Sequence, residues 1–204
     1  MTLTREIYQK RTYDVRGFMQ DSARLCRSFL SLPPDRSNSE RLNSAFAERI
    51  MLAVTQVNQC RYCEYGHSIA ALRAGLTKQE LQAIKSGDFN TVPSDELPAL
   101  VFAQHYAARR GAPEEEAIRA LFEAYEEPKS RRILLTIRMI TIGNMLGNTF
   151  DALLERLRGK PVASGHAIGE ISVLLLVVIS IPVIAITALI GTILRLRAPL
   201  SVSA

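Results

Sequence analysis

The chain has no tryptophan, three cysteines, three histidines and only 6% aromatic residues in a length of 204. Three cysteines are too few and too uneven in number for a disulfide framework, and a chain this long can build its core without one. The N-terminus, Met1-Thr2-Leu3-Thr4-Arg5-Glu6, has no apolar run, so a cleaved secretion leader is not expected. That places the main domain in a reducing compartment, where a Cys-x-x-Cys is catalytic or metal-binding more often than structural. The net charge is +5, but lysine and arginine are scattered. No Arg-rich block is interleaved with aromatics, so no nucleic-acid partner is expected. No run alternates apolar and polar residues with the period of a strand. The fold class is all-α.

Residues 1–39 form an N-terminal helical arm. Val15, Phe18, Met19, Leu25 and Phe29 recur at helical spacing, and Pro33-Pro34-Asp35-Arg36-Ser37-Asn38-Ser39 punctuates the end of the arm. The main domain covers 40–159. Its first long helix carries Leu42, Phe46, Ile50, Ala53, Val54 and Val57 on one face. Asn58 is placed to cap the next helix, which runs from Cys60 to Ala74 and stops at Gly75. Thr77-Lys78-Gln79-Glu80 has the form of a capping box. Further helices are expected from about Ser94 to Arg110, after Pro113, and from Pro128 to Leu157.

A linker over 160–170 follows, and the composition then changes. From Ile171 to Leu194 there is no charged residue. As a helix, these roughly 24 residues rise about 36 Å, enough to cross a hydrocarbon core of about 30 Å. Pro182 would kink that helix, and Arg156, Arg158 and Lys160 before it and Arg195 and Arg197 after it suit headgroup anchors. Apolarity around the whole circumference favours lipid over a packed interface, and 171–194 is read as a transmembrane helix followed by a short basic tail at 195–204. The charge balance puts the main domain on the cytoplasmic side, tethered to the membrane. The alternative is a helix buried in the core or in an oligomer interface.

The chemistry concentrates in Cys60-Arg61-Tyr62-Cys63-Glu64-Tyr65-Gly66-His67. On a helix, Cys60, Cys63 and His67 fall within about 60° of arc. Cys60 sits at the helix N-terminus, where unpaired N–H groups and the dipole favour a thiolate. Attack on a peroxide or disulfide needs that thiolate, and a histidine one turn away can take or return the proton. Two thiols at i and i+3 can then close a disulfide. Glu48, on the preceding helix, can orient His67 if the two helices pair. Cys60, Cys63, His67 and Glu48 also offer four possible zinc ligands, but no second ligand pair of the usual kind is present. No metal or cofactor is expected. Cys26 is a packing residue, His105 a packed or surface residue and His166 a linker residue. Tyr62 and Tyr65 flank the thiols. The paired Asn144 and Asn148 are buried amides that cap a neighbouring helix end or approach the dithiol.

The run from Glu48-Arg49-Ile50-Met51-Leu52-Ala53-Val54 through Asn58-Gln59-Cys60-Arg61-Tyr62-Cys63 to His67, with Ala70-Ala71-Leu72 and Gly75-Leu76-Thr77, resembles the alkyl hydroperoxidase D-like branch of the carboxymuconolactone decarboxylase family. Ile142-Gly143-Asn144-Met145-Leu146-Gly147-Asn148 and the residues to Leu153 look like that family's closing helix. The resemblance covers about 40–157. It implies an all-helical fold assembling as trimers or hexamers. It also implies peroxidase or disulfide-reductase activity toward a hydroperoxide or protein disulfide, with a thiol or dithiol donor and an antioxidant role. It makes Cys63 the attacking thiol, Cys60 its disulfide partner and Glu48–His67 the proton relay. The dipole argument favours Cys60 as the thiolate instead, so the two lines disagree on which sulfur attacks. The family's usual histidine between the cysteines is here Tyr62, and the apolar tail is outside the family pattern. The remaining alternative is a redox-sensing or zinc-binding module tethered to a membrane.

Overall fold

Asn43 starts the central helix: its side chain accepts the Phe46 N–H at 2.7 Å, satisfying one of the free donors of a helix N-terminus. In the computed structural model, which describes residues 7–33 and 41–197 with side chains to 194, this helix is α2 (Ser44–Asn58). Around it lie α1 (Val15–Ser31), α3 (Arg61–Arg73), α4 (Lys78–Ser86), α5 (Leu97–Ala108), α6 (Glu115–Ala124), α7 (Glu127–Leu157) and α8 (Ala167–Arg197). The all-α expectation holds for the described residues.

Two faces of α2 are buried. Phe46, Ile50, Ala53 and Val54 meet Leu100 and Ala103 of α5 and Ile133, Ile137 and Ile140 of α7. Leu52 points the other way, into a second cluster with Ala71, Leu76, Leu81 and Ile84. Each such large side chain contributes about 1.5–3 kcal/mol on leaving water. Thr77 Oγ1 accepts the Glu80 N–H at 3.1 Å, but Glu80 does not close the box. Its carboxylate pairs with Arg49 at 2.6 Å, and Arg49 also reaches Glu96 at 2.9 Å, tying α2, α4 and the start of α5 together. Gly87, at φ 81°, takes the left-handed turn that ends α4.

Several boundaries differ from the sequence reading. Asn58 caps nothing; it is the last residue of α2, and Cys60 itself fills the N-cap of α3. The helix expected from Ser94 begins at Leu97, behind Glu96. α8 begins at Ala167 rather than Ile171, and the ring of His166 starts it by accepting the Gly169 N–H at 3.0 Å. The loop expected over 33–39 lies, from 34 on, outside the described residues, as do the side chains of the 195–204 tail. An isolated parallel bridge joins Tyr8 to Val162, with Tyr8 N–H to Pro161 O at 3.0 Å and Ala163 N–H to Tyr8 O at 2.9 Å. One residue pair has no periodicity, so no sequence pattern announces it.

Among the described residues, two helices are long and apolar enough to cross a membrane: Glu127–Leu157, with mean hydropathy 1.2 and 44% of its apolar window buried, and Ala167–Leu194, with 3.1 and 6%. The first is the core helix. The second does not present its full circumference to the surroundings. Phe18 of α1 packs on the fully buried Val173, and further along the Phe29 carbonyl lies where a side chain on Gly191 would have to go. The two helices therefore run side by side in the same direction. The opposite face of α8 exposes Ile171, Leu175, Val178, Ile179, Ile186 and Leu189. At its base, Glu170 is 1% exposed and pairs with Arg156 of α7 at 3.0 Å.

Candidate redox site

The chain turns from α2 into α3 through Gln59, which holds a left-handed backbone at φ 58° and donates its N–H to Thr55 O. This tight turn sets Cys60 at the N-cap of α3. Its sulfur accepts the Cys63 N–H at 3.4 Å, the bond a serine or aspartate makes in an ordinary cap. Cys63 lies one turn further, and the two sulfurs are 2.8 Å apart with both cysteines free. Cys60 is fully buried, whereas Cys63 is half-buried.

Charge follows from this contact. The Cys63 thiol donates to the Cys60 sulfur and holds the Cys60 thiol down from 9.0 to about 7. Burial works against that shift, while the backbone N–H groups of Cys63 and Tyr62 and the Lys10 charge assist it. The same contact, with burial second, drives Cys63 far above its ordinary range. The two thiols titrate as a pair that gives up its first proton near neutral pH and keeps its second.

Cys63 and His67 lie one turn apart on α3 with Cys60 at its N-cap, and Glu48 of α2 reaches His67. His67 Nδ1 lies 2.8 Å from Glu48 Oε2. No hydrogen bond joins His67 to either sulfur among the described residues, so the Glu48–His67 pair is not bonded to the dithiol.

Four residues at the site were not foreseen. Gly147 of α7 packs directly on the dithiol: a Cβ there would lie 2.6 Å from Cys60 Sγ and 3.9 Å from Cys63 Sγ. A glycine inside a helix costs about 1 kcal/mol relative to alanine, and that cost is the sequence signal of a close approach. Asp151, one turn on and 3% exposed, pairs with Arg61 and accepts the Tyr62 hydroxyl at 3.2 Å. Lys10 lies 3.8 Å from the same carboxylate. Tyr8 donates its hydroxyl to Asn148 O at 2.9 Å. The N-terminal segment thus lies against the site, held there by the bridge to Val162. Desolvation, then the Asp151 charge, raises the Tyr8 phenol well above its ordinary range.

Of the two roles expected for the buried amides, the structure shows the helix-end cap, made by Asn148. Asn148 Nδ2 donates to Asn58 O at 2.8 Å, closing the C-terminus of α2 just before the dithiol. Asn144 Oδ1 accepts from Thr55 Oγ1 at 3.1 Å. Tyr65 is 73% exposed, His105 pairs with Glu114 at the surface, and Cys26 is free and half-buried in α1. Among the described residues no group of three or more histidine, cysteine, aspartate or glutamate side chains could hold a metal ion, so the zinc alternative finds no support in the geometry.

No curated protein and no solved structure matches the chain. The model of the carboxymuconolactone decarboxylase family matches residues 36–87, the segment that contains α2, α3 and α4 and all four predicted site residues. The resemblance noted over 142–153 lies beyond that match. A carboxymuconolactone decarboxylase family domain is therefore present over residues 36–87.

Proposed function

We propose that the chain is a thiol-dependent peroxidase or thiol–disulfide oxidoreductase of the alkyl hydroperoxidase D-like kind. The observation that carries this reading is the free Cys60–Cys63 pair, 2.8 Å apart, with a first proton lost near pH 7. A thiolate at neutral pH with a second thiol within reach is what two-step thiol oxidation needs.

Cys63 is the sulfur that meets the substrate, because Cys60 is sealed from solvent. The proton shared by the two sulfurs moves to Cys60, leaving the anion on Cys63. That thiolate attacks the outer oxygen of a hydroperoxide. The O–O bond breaks, the alkoxide takes from His67 Nε2 the proton that the thiol pair first released to it and leaves as alcohol, and Cys63 becomes a sulfenic acid. Cys60 then attacks the Cys63 sulfur, an S–S bond forms and water leaves. An external dithiol returns two electrons and two protons. Toward a protein disulfide, the same thiolate forms a mixed disulfide that Cys60 resolves. Glu48 fixes the His67 ring through Nδ1, leaving Nε2 for the proton transfer.

Peroxide consumption with a dithiol reductant should fall to background in Cys63→Ser, and reduction of a small disulfide should fall with it. Equal rates in wild type and variant would contradict the proposal. Loss of one activity alone identifies the oxidant class.

We also propose that α8 holds this domain at a membrane through its exposed face, with α1 covering the other side. Deletion after Gly169 should release the protein from membranes. A full chain already soluble without detergent as a defined oligomer would instead assign the exposed face to contacts between copies.

A further inference from the structure

A cavity lies behind the dithiol turn, between the N-terminal segment, α1, the end of α5 and α7. Its volume is about 430 Å3, within the range of small-molecule sites and many times the roughly 30 Å3 share of one water. Three arginines line it: Arg11, Arg24 and Arg110. Arg24 is paired with Asp21 at 2.7 Å, and Asp14 uses its Oδ1 to cap α1 through the Gly17 N–H. Arg11 and Arg110 have no carboxylate within ion-pair distance among the described residues. Arg11 donates one Nη1–H to Ala107 O at 2.9 Å and keeps the rest of its fork free. Both side chains line the same cavity, and burial, and after it the Arg110 charge, lowers the Arg11 guanidinium.

Asn58 also lines the cavity, and it is 3% exposed. Its Nδ2 is buried without a hydrogen-bond partner. A buried amide donor left unpaired costs about 1–3 kcal/mol, so its presence calls for an acceptor. Tyr13 and Met145 supply apolar surface to the same space.

We infer that this cavity binds a small organic anion. Its carboxylate or phosphate group is held by Arg11 and Arg110, and its apolar body lies against Tyr13 and Met145, with Asn58 donating to an acceptor on it. Guanidinium forks suit either oxyanion, and two unpaired arginines facing one cavity have no structural role that requires them to stay unpaired. The inference does not depend on the redox chemistry, since none of these groups belongs to the dithiol.

The test is calorimetric titration of the full chain, in a non-ionic detergent, with benzoate and with phenyl phosphate. Arg110→Asn is the variant, because Arg110 holds φ 53° and asparagine tolerates that left-handed backbone. Saturable binding of either probe at one site per chain, weakened at least tenfold by Arg110→Asn, is the expected result; the tighter probe identifies the head group. No binding of either probe to wild type, or equal binding by the variant, would overturn the inference.

Discussion

Cys60 and Cys63 divide the requirements of a reactive thiol between them. Cys60 has the helix N-terminus, the Lys10 charge and the donated Cys63 proton, but no access. Cys63 has the access and holds the proton. The disagreement in the sequence reading over which sulfur attacks came from treating them as separate groups. With sulfurs 2.8 Å apart they share one ionisation. Thiolate ultraviolet absorbance should therefore rise with pH around a midpoint near 7. In Cys63→Ala the donor is gone, and the Cys60 midpoint should move up toward its ordinary 9.0. An unchanged midpoint would mean that the dipole alone holds the thiolate. Gly147 gives a second test at this scale. Gly147→Ala puts a methyl group 2.6 Å from Cys60 Sγ and should slow disulfide closure while costing about 1–3 kcal/mol of overpacking. Gly143→Ala, one turn away with nothing within 4 Å, should stabilise the helix by up to about 1 kcal/mol. Melting temperatures and thiol-oxidation rates of the pair decide it: the account requires them to move apart.

The four predicted site residues were legible because a helix hairpin is local. Cys60, Cys63 and His67 follow one another at one-turn spacing from the N-cap of α3, and Glu48 comes from the adjoining helix. The residues that were missed come from far along the chain. Asp151 meets Arg61 across 90 positions, and Tyr8 meets Asn148 across 140. Periodicity locates α7 and says which of its faces is apolar, but not which turn lies over the dithiol. Element boundaries failed for a related reason. Asn58 looks like a cap from its residue type, yet the carbonyl cap it receives from Asn148 makes it an end instead of a beginning. At this scale the buried Glu170–Arg156 pair is the joint between α7 and α8. Arg156→Ala leaves a carboxylate that is 1% exposed without its partner, and also frees the Ser164 and Gly165 carbonyls that Arg156 holds. A loss of about 3–5 kcal/mol is expected in chemical denaturation, and Arg156→Ala/Glu170→Met should recover much of it. No recovery would mean that the pair does not hold α8.

For the whole molecule, composition announced the apolar segment clearly and its surroundings not at all. Read as sequence alone, 171–194 is apolar all round and suits lipid on every side. The fold lays α1 along it, from Phe18 at Val173 to Phe29 at Gly191, so one side is committed to protein. The same arrangement links α8 to the redox site. The Glu170–Arg156 pair ties the first turn of α8 to α7, the linker before α8 pairs with Tyr8, and the N-terminal segment carries Tyr8 and Lys10 to the dithiol. The central claim is that Cys60 and Cys63 are oxidised together by one substrate molecule. Titration of free thiols before and after a stoichiometric hydroperoxide pulse tests it most directly. The account predicts three thiols before and one after, with Cys26 the survivor and a Cys60–Cys63 disulfide in the peptide map. Three thiols remaining after the pulse, or a disulfide that includes Cys26, would contradict it.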